Sequence, residues 1–559
     1  GVTGVQTCAL PIYEPRERIA RGARWLADTQ CADGGWGDTP ASPANLSTTL
    51  LAWSVLAALD EDAGRETATV ARAAGWIAAR AGGTGPAAIA AALERIYGRD
   101  RTFAVPILVH ATLCGRLGDP RDPATWRHVH QLPFEFAALP QSWFRLVDMQ
   151  VVSYALPALV AIGQVRHARA PGPAPMRWLR DAARTATLRT LRAIQPEGGG
   201  YLEATPLTSF VTMSLAGMGL AGHPVAVDGT RFLVASQRSD ASWPIDTNLA
   251  TWCTTLSVGA LAAGGRLGRW LSADERRATG QWLLAQHWTR RHPYTGAAPG
   301  GWAWTDLPGG VPDADDTSGA ILALAALSAD DPAVEARAAA GAGLGWLVGL
   351  ANRDGGIPTF CRGWGRLPFD TSCPDITAHF LRAARAWDQA GGIDGPTSRA
   401  VAAASRYLAS TRRADGSWWP LWFGNQSHPD QANPVYGTAK VVLATLDRAG
   451  ADWLLAAQAP DGSIPCVPRG VATIEETAVA VEALAAVAAD PGGGEGLRDR
   501  AREGALRGAA WLVERTAGGR EFPASPIGLY FAKLWYDEEL YPLVFTLAAL
   551  ERVRSLLVA

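Results

Sequence analysis

One pattern recurs along the chain and decides more about its architecture than any local propensity. An aromatic residue followed by Leu is trailed, at offsets of five, nine and eleven, by Gln or Arg, a small turn residue, and a ring or Ile. Trp25 is followed in this way by Gln30, Gly34 and Trp36, and Phe232 by Gln237, Ala241 and Trp243; Tyr407 leads to Arg412, Gly416 and Trp418, and Trp453 to Gln458, Gly462 and Ile464. Weaker copies begin at Trp346, with Gly355 and Ile357, at Trp511, with Phe522, and around Gln195, Gly199 and Tyr201. Each unit reads as a helix ending in a Gly turn, after which a ring folds back over the helix end, followed by an apolar helix such as residues 48–59 or 478–487. Repeated helix pairs bury their apolar faces against their neighbours and close into a toroid. The expected fold is therefore all-α, with two α/α barrels of the α6/α6 type, residues 13–236 forming the smaller and 237–559 the larger.

Residues 2–12, VTGVQTCALPI, read as the translation of a sequencing-library adapter, so they and Cys8 are set aside. A formal net charge of -2 and a charged fraction of 19% leave no basic footprint for nucleic acid. The seven cysteines stand singly, with no CxxC pair, which excludes a thiolate zinc site and a disulfide framework and fits a reducing cytoplasm. Apolar stretches are all cut by charge or Gly before they reach bilayer length. Against these ordinary totals, 23 tryptophans stand out at about three times normal usage. Those in the repeats are read as clamps between helix pairs, so the chemistry belongs elsewhere.

Residues 312–322 read PDADDTSGAIL and place Asp313, Asp315 and Asp316 within four positions at the start of an apolar helix. One Asp there is explained by capping and the helix dipole. Three are not, because neighbouring carboxylates in a desolvated setting cannot all ionise, and one is held as a neutral acid. Just upstream, GGWAW at residues 300–304 supplies Trp302 and Trp304 as ring faces for the same cavity. An acid beside indole faces suits carbocation chemistry, since π-faces stabilise a cation without capturing it.

On these residues the chain resembles the squalene-hopene cyclase family from about Trp25 onward: the repeats are similar to its QW motifs, and PDADDT to its DxDD acid motif. The resemblance implies Asp315 as proton donor to a terminal isoprene double bond, with Asp313 and Asp316 as partners. PDITAH is similar to the family's EDVTAH, which implies His379 as the residue polarising the acid and Asp375 as the residue orienting His379. It also implies cavity-lining roles for Trp304, Trp422, Phe360 and Trp143, and for Tyr530, Phe531, Trp535 and Tyr536 in the tail GLYFAKLWYDEELYP. The implied substrate is a linear isoprenoid, most closely squalene, cyclised without metal or cofactor; no DDxxD motif is visible. Homodimer formation and contact with the inner face of the cell membrane are further implied.

Three departures bear on substrate and termination. Ile245 in WPIDTN stands where the family has a cavity Trp, and residues 45–53, NLSTTLLAW, lack the carboxylate of a family stretch that positions water. The family's membrane plug is reduced to APGPAPMRWLRDAARTATLRTLR, where Trp178, Leu179, Leu188 and Leu191 alternate with Arg177, Arg180, Arg184, Arg189 and Arg192 in a basic amphipathic pattern. The nearest rival reading is a cyclase of a prenyl diphosphate, held by the WTRRHP run at residues 288–293. An α/α-toroid glycosidase needs two separated carboxylates, and a helical scaffold needs no acid cluster.

Overall fold

The repeat resolves into a recurring hydrogen-bonded clamp. In the computed structural model, which describes residues 13–64, 67–98, 101–140, 143, 156–293, 295–328, 334–360, 370–529 and 534–558, the Trp that closes a turn donates its ring N–H back to the Leu that opened the unit. Trp36 Nε1 donates to the Leu26 carbonyl at 2.7 Å, Trp243 to Leu233 at 2.8 Å, and Trp418 to Leu408 at 2.9 Å. The Gln ties the same turn to the next outer helix: Gln30 Nε2 donates to Gly34 and Thr69 carbonyls, and Gln458 to those of Gly462 and Gly504. The turn requires a left-handed residue, supplied by Gly34, Gly199, Gly355, Gly416 and Gly462; in one copy Ala241 takes it at φ 79°.

The chain divides into two compact units. One holds the described residues up to Trp143, those from 156 to Thr247, and Leu307–Gly309; the other holds Asn248–Asp306 and the described residues from Gly310 onward. The division falls after Thr247 rather than after Ser236, where the repeat had suggested it. The turn at Gln237–Trp243 belongs with its own helix, because Trp243 closes on Leu233 and Gln237 Nε2 donates to the Ala241 carbonyl.

In the second unit six inner helices form a closed ring. Ala250–Ala262, Ala314–Leu327, Pro374–Gly391, Pro434–Thr445, Ile474–Ala489 and Leu540–Val558 each pack against the next, and Leu540–Val558 packs back on Ala250–Ala262. Ala273–Ala285, Val334–Leu350, Gly395–Thr411, Arg448–Ala457 and Glu495–Arg515 lie outside them. Several helices in the inner position have no polar face, as expected for elements covered all round; in Ile474–Ala489 nearly every side chain is buried.

The first unit is built from the same helix pairs around a core that includes Trp36, Trp53, Trp76 and Trp126. Its helix Met176–Ala193 carries the basic amphipathic stretch. There Trp178 and Leu179 are exposed, whereas Leu191 is buried in the core, and Arg180 and Arg192 pair with Glu135 and Asp228. Among the described residues, no helix is long and apolar enough to cross a membrane.

Candidate active site

The site grows out of a threonine that the repeat places at the start of four of the six inner helices. The ring or Ile that closes a turn donates its backbone N–H to this hydroxyl: Trp302 to Thr317 at 3.0 Å, Ile357 to Thr377 at 2.9 Å, Trp418 to Thr438 at 3.0 Å and Ile464 to Thr477 at 3.2 Å. Taking each Thr as origin, Asp315, Asp375, Tyr436 and Glu475 stand two residues before it, and Gly319, His379, Lys440 and Val479 two residues after. Positions four apart share a helix face. The fold thus repeats one pair of positions around the ring, and the sequence varies the side chains placed there.

The helix Ala314–Leu327 begins with Asp313 as its N-cap, whose Oδ1 accepts from the backbone N–H of Asp315 (2.9 Å) and Asp316 (2.8 Å). Asp313 and Asp316 are both buried, and burial pushes both carboxyls up: Asp313 to about 7, and Asp316 well above the carboxylate range with the added repulsion of Asp313. Asp316 is therefore held as a neutral acid beside the capping carboxyl, and Asp315 is the member of the cluster that faces the cavity.

His379, from the helix Pro374–Gly391, places Nδ1 2.6 Å from Asp315 Oδ1. Burial lowers its affinity for a proton, and the Asp315 charge opposes that shift. Its ring meets Trp252 edge to face at 6.3 Å. A cavity of about 40 Å³ lies against this pair, completed by Leu256, Asp375, Arg382, Tyr436 and Lys440. Asp375 corrects one expectation. Its carboxylate accepts from the Cys373 thiol at 2.6 Å, rather than from His379, so the ring it was expected to orient is held by Asp315. Burial raises the Asp375 carboxyl to about 6.

The lining residues separate into groups. Trp304 anchors the ring by its backbone, its carbonyl accepting from the N–H groups of Thr251 (3.0 Å) and Trp252 (3.1 Å) at the start of Ala250–Ala262. Trp302 is a second correction: fully buried, it donates Nε1 to the Leu283 carbonyl at 2.8 Å and is a clamp ring, not a cavity wall. Phe360 pairs with Asp313 through backbone bridging and meets Trp422 edge to face at 5.0 Å. Trp535 is buried on the short strand Leu534–Tyr536, and the Tyr536 hydroxyl lies 3.0 Å from that of Tyr541, which accepts from Trp252 Nε1 at 2.8 Å. Ile245 and Trp143 lie in the first unit, Ile245 half-buried and Trp143 57% exposed. Tyr530 and Phe531 lie outside the described residues.

Sequence reasoning missed Trp252, Cys373, Arg382, Tyr436 and Lys440. A signal existed for Lys440, since the chain has only two lysines and this one interrupts an otherwise apolar helix. Among the described residues no group of His, Cys, Asp and Glu is arranged to hold a metal ion.

An α/α barrel with a neutral-acid cluster and a histidine at the rim of its inner ring defines a class, and the comparisons supply the family. The model of the squalene-hopene cyclase C-terminal domain matches residues 249–554, more than half of the chain, and the chain belongs to that family. It is 27% identical over 295 residues to a squalene–hopene cyclase of Alicyclobacillus acidocaldarius, covering 47% of this chain and 42% of that protein. It is 31% identical over 249 residues to a copalyl diphosphate synthase of Streptomyces cyslabdanicus, covering 42% of this chain and 38% of that one. The chain thus spans less than half the length of these relatives. Among solved structures, ent-copalyl diphosphate synthase from Streptomyces platensis shares the fold with a TM-score of 0.55 at 20% identity, over 97% of this chain and 92% of that one.

Proposed function

We propose that the chain is a class II terpene cyclase that protonates a terminal double bond of a linear polyprenyl substrate and closes rings on the resulting cation, with squalene as substrate and a polycyclic triterpene as product. The observation that carries this reading is the 2.6 Å contact between Asp315 and His379 at the rim of the closed ring. A ring N–H donated to Oδ1 leaves Oδ2 to hold the transferable proton. The alkene π pair takes that proton, one carbon becomes cationic, and the carboxylate left on Asp315 keeps the imidazole hydrogen bond, which is stronger to the charged form. Trp304, Phe360, Trp422, Trp535 and Tyr536 offer π-faces that stabilise the migrating cation without forming a bond to it. Loss of a proton, or capture by water, ends the sequence.

A prenyl diphosphate is the second reading, favoured by the copalyl diphosphate synthase among the relatives. Incubating the purified protein with squalene and, separately, with geranylgeranyl diphosphate, then analysing the extract by gas chromatography and mass spectrometry, decides between them. Cyclised hydrocarbon from squalene supports the first; cyclised diphosphate alone supports the second; no cyclised product from either rejects the class. Membrane contact belongs to the same proposal. Exposed Trp178 and Leu179, on a helix that also exposes Arg177 and Arg189, suit an anionic lipid surface. Co-sedimentation with anionic vesicles, lost in Trp178→Ala/Leu179→Ala, tests it.

A further inference from the structure

The cavity behind the acid contains more charge than protonating an alkene requires. Besides Asp315 and His379, it is faced by Asp375 and Arg382 from the helix Pro374–Gly391 and by Lys440 from Pro434–Thr445. Lys440 is one of two lysines in a chain whose other 49 of 51 cationic side chains are arginines. Its Nζ sits 5.1 Å from the ring centres of both Tyr436 and Phe545, a slot between π-faces that suits a compact ammonium better than a planar guanidinium. Behind it, Glu482 on Ile474–Ala489 is buried and paired with Arg552 at 3.3 Å, and it provides the leading attraction on both Lys440 and Arg382.

We propose that Lys440 is a positioning residue for the acid: held between two rings and balanced by Glu482, its ammonium sets how readily Asp315 gives up its proton. This rests on Asp315 being the acid of the proposed function. A positive charge across a buried cavity favours the carboxylate that remains after proton transfer, and a buried charge pair acts more strongly there than in water. The electrostatic interaction is mutual: Asp315 and Asp375 both hold the Lys440 proton, while burial and Arg382 work against it. The other groups around Asp315 are Asp313 and Asp316 on its own helix, with Cys253 on Ala250–Ala262 acting on Asp316. Burial keeps Asp316 neutral, pushes the Cys253 thiol up to about 12 and raises the Tyr436 phenol, so none of these three adds a charge in the range where the enzyme would work. Arg382, Lys440 and His379 remain as the groups that favour an anion at Asp315, with Asp313 and Asp375 opposing them.

The sign of the effect is testable. An enzyme whose catalytic acid must be protonated loses kcat along an alkaline limb of its pH profile. Lys440→Met removes the cation, so this alkaline limb moves up by about one pH unit while the low-pH plateau of kcat falls by up to about tenfold. Glu482→Gln removes the counter-anion and leaves the cations unopposed, so the limb moves down. The pH profile of kcat is measured for both variants, with whichever substrate the wild type turns over. Opposite shifts support the proposal; limbs that stay within about 0.3 unit of wild type, or that move the same way, overturn it. If Lys440→Met does not fold, the direction of the Glu482→Gln shift decides alone. Asp315→Asn serves as the control: if it remains active, the acid assignment itself has failed, whereas an inactive Asp315→Asn with unmoved limbs removes only the role of Lys440.

Discussion

Asp315 and Asp375 occupy the same position on successive inner helices, each two residues before the threonine that clamps its turn. Equivalent backbone places them alike; burial and partners make them different. Asp315 meets His379 at the cavity, whereas Asp375 is more buried and bound to the Cys373 thiol. Equivalent positions on two helix starts thus present two carboxyls to one cavity, one hydrogen-bonded to His379 and the other to a thiol.

Asp315→Asn is expected to abolish turnover and leave the fold intact. The amide is nearly isosteric but carries no transferable acidic proton, and no solvent acid replaces it at neutral pH. The loss should reach or exceed the upper end of the roughly 10²- to 10⁴-fold contribution of general-acid steps. Activity measured beside an unchanged circular dichroism melt checks this; a tenth of wild-type turnover would sink the assignment.

His379→Ala should lower kcat by about 10²-fold while changing KM little, because the ring acts on the acid rather than on the hydrocarbon. A histidine that only fills space would instead lower the melting temperature and preserve activity per folded molecule.

Asp316 sets a dependence of stability on pH. Its folded pKa lies above its unfolded value, so the stability it contributes is present below about 3.8 and is lost as pH rises. Asp316→Asn mimics the protonated acid at every pH. The variant's melting temperature relative to wild type should therefore climb between pH 4 and pH 8, by at most about 1.4 kcal/mol of stability per pH unit. A difference that stays flat across that range contradicts the neutral-acid state.

Trp304→Ala should consume substrate but release products with fewer rings. A desolvated cation over an indole gains about 2 kcal/mol, and each 1.4 kcal/mol is about tenfold in partitioning between proton loss and the next closure. An unchanged ring distribution by gas chromatography and mass spectrometry would leave Trp304 a backbone anchor for the helix start and nothing more.

Ala241→Gly should stabilise the first unit by about 1 kcal/mol, since Ala241 occupies the left-handed turn position at φ 79° that Gly takes in the sibling turns. Chemical denaturation of both proteins checks the sign.

The clamps were legible because their spacing is local. The copy opened by Trp282 and Leu283 escaped because a longer turn carries its ring to Trp302, beyond the offset of eleven; the same insertion made Trp302 read as a cavity wall. The threonine clamp was invisible for a related reason: it lies 13 residues after Trp36 but 20 after Trp418, so no fixed spacing marks it. Asp315 and His379 were found through motifs. Arg382, Lys440 and Glu482 come from three successive inner helices, and only the packing of those helices makes them neighbours of one cavity or of each other.

That closure also dictates when a working site can exist. Tyr541, on the helix that completes the ring, takes the indole N–H of Trp252 across a separation of 289 residues, and Trp252 is a wall of the acid cavity. Contacts of such range are costly in loop entropy and form late. Until Leu540–Val558 docks, the apolar sides of Ala250–Ala262 and Ile474–Ala489 that it covers lie open to water, and the ring around the cavity is incomplete. A nascent chain would thus carry every acidic residue of the site before the arrival of one helix gave them a common chamber.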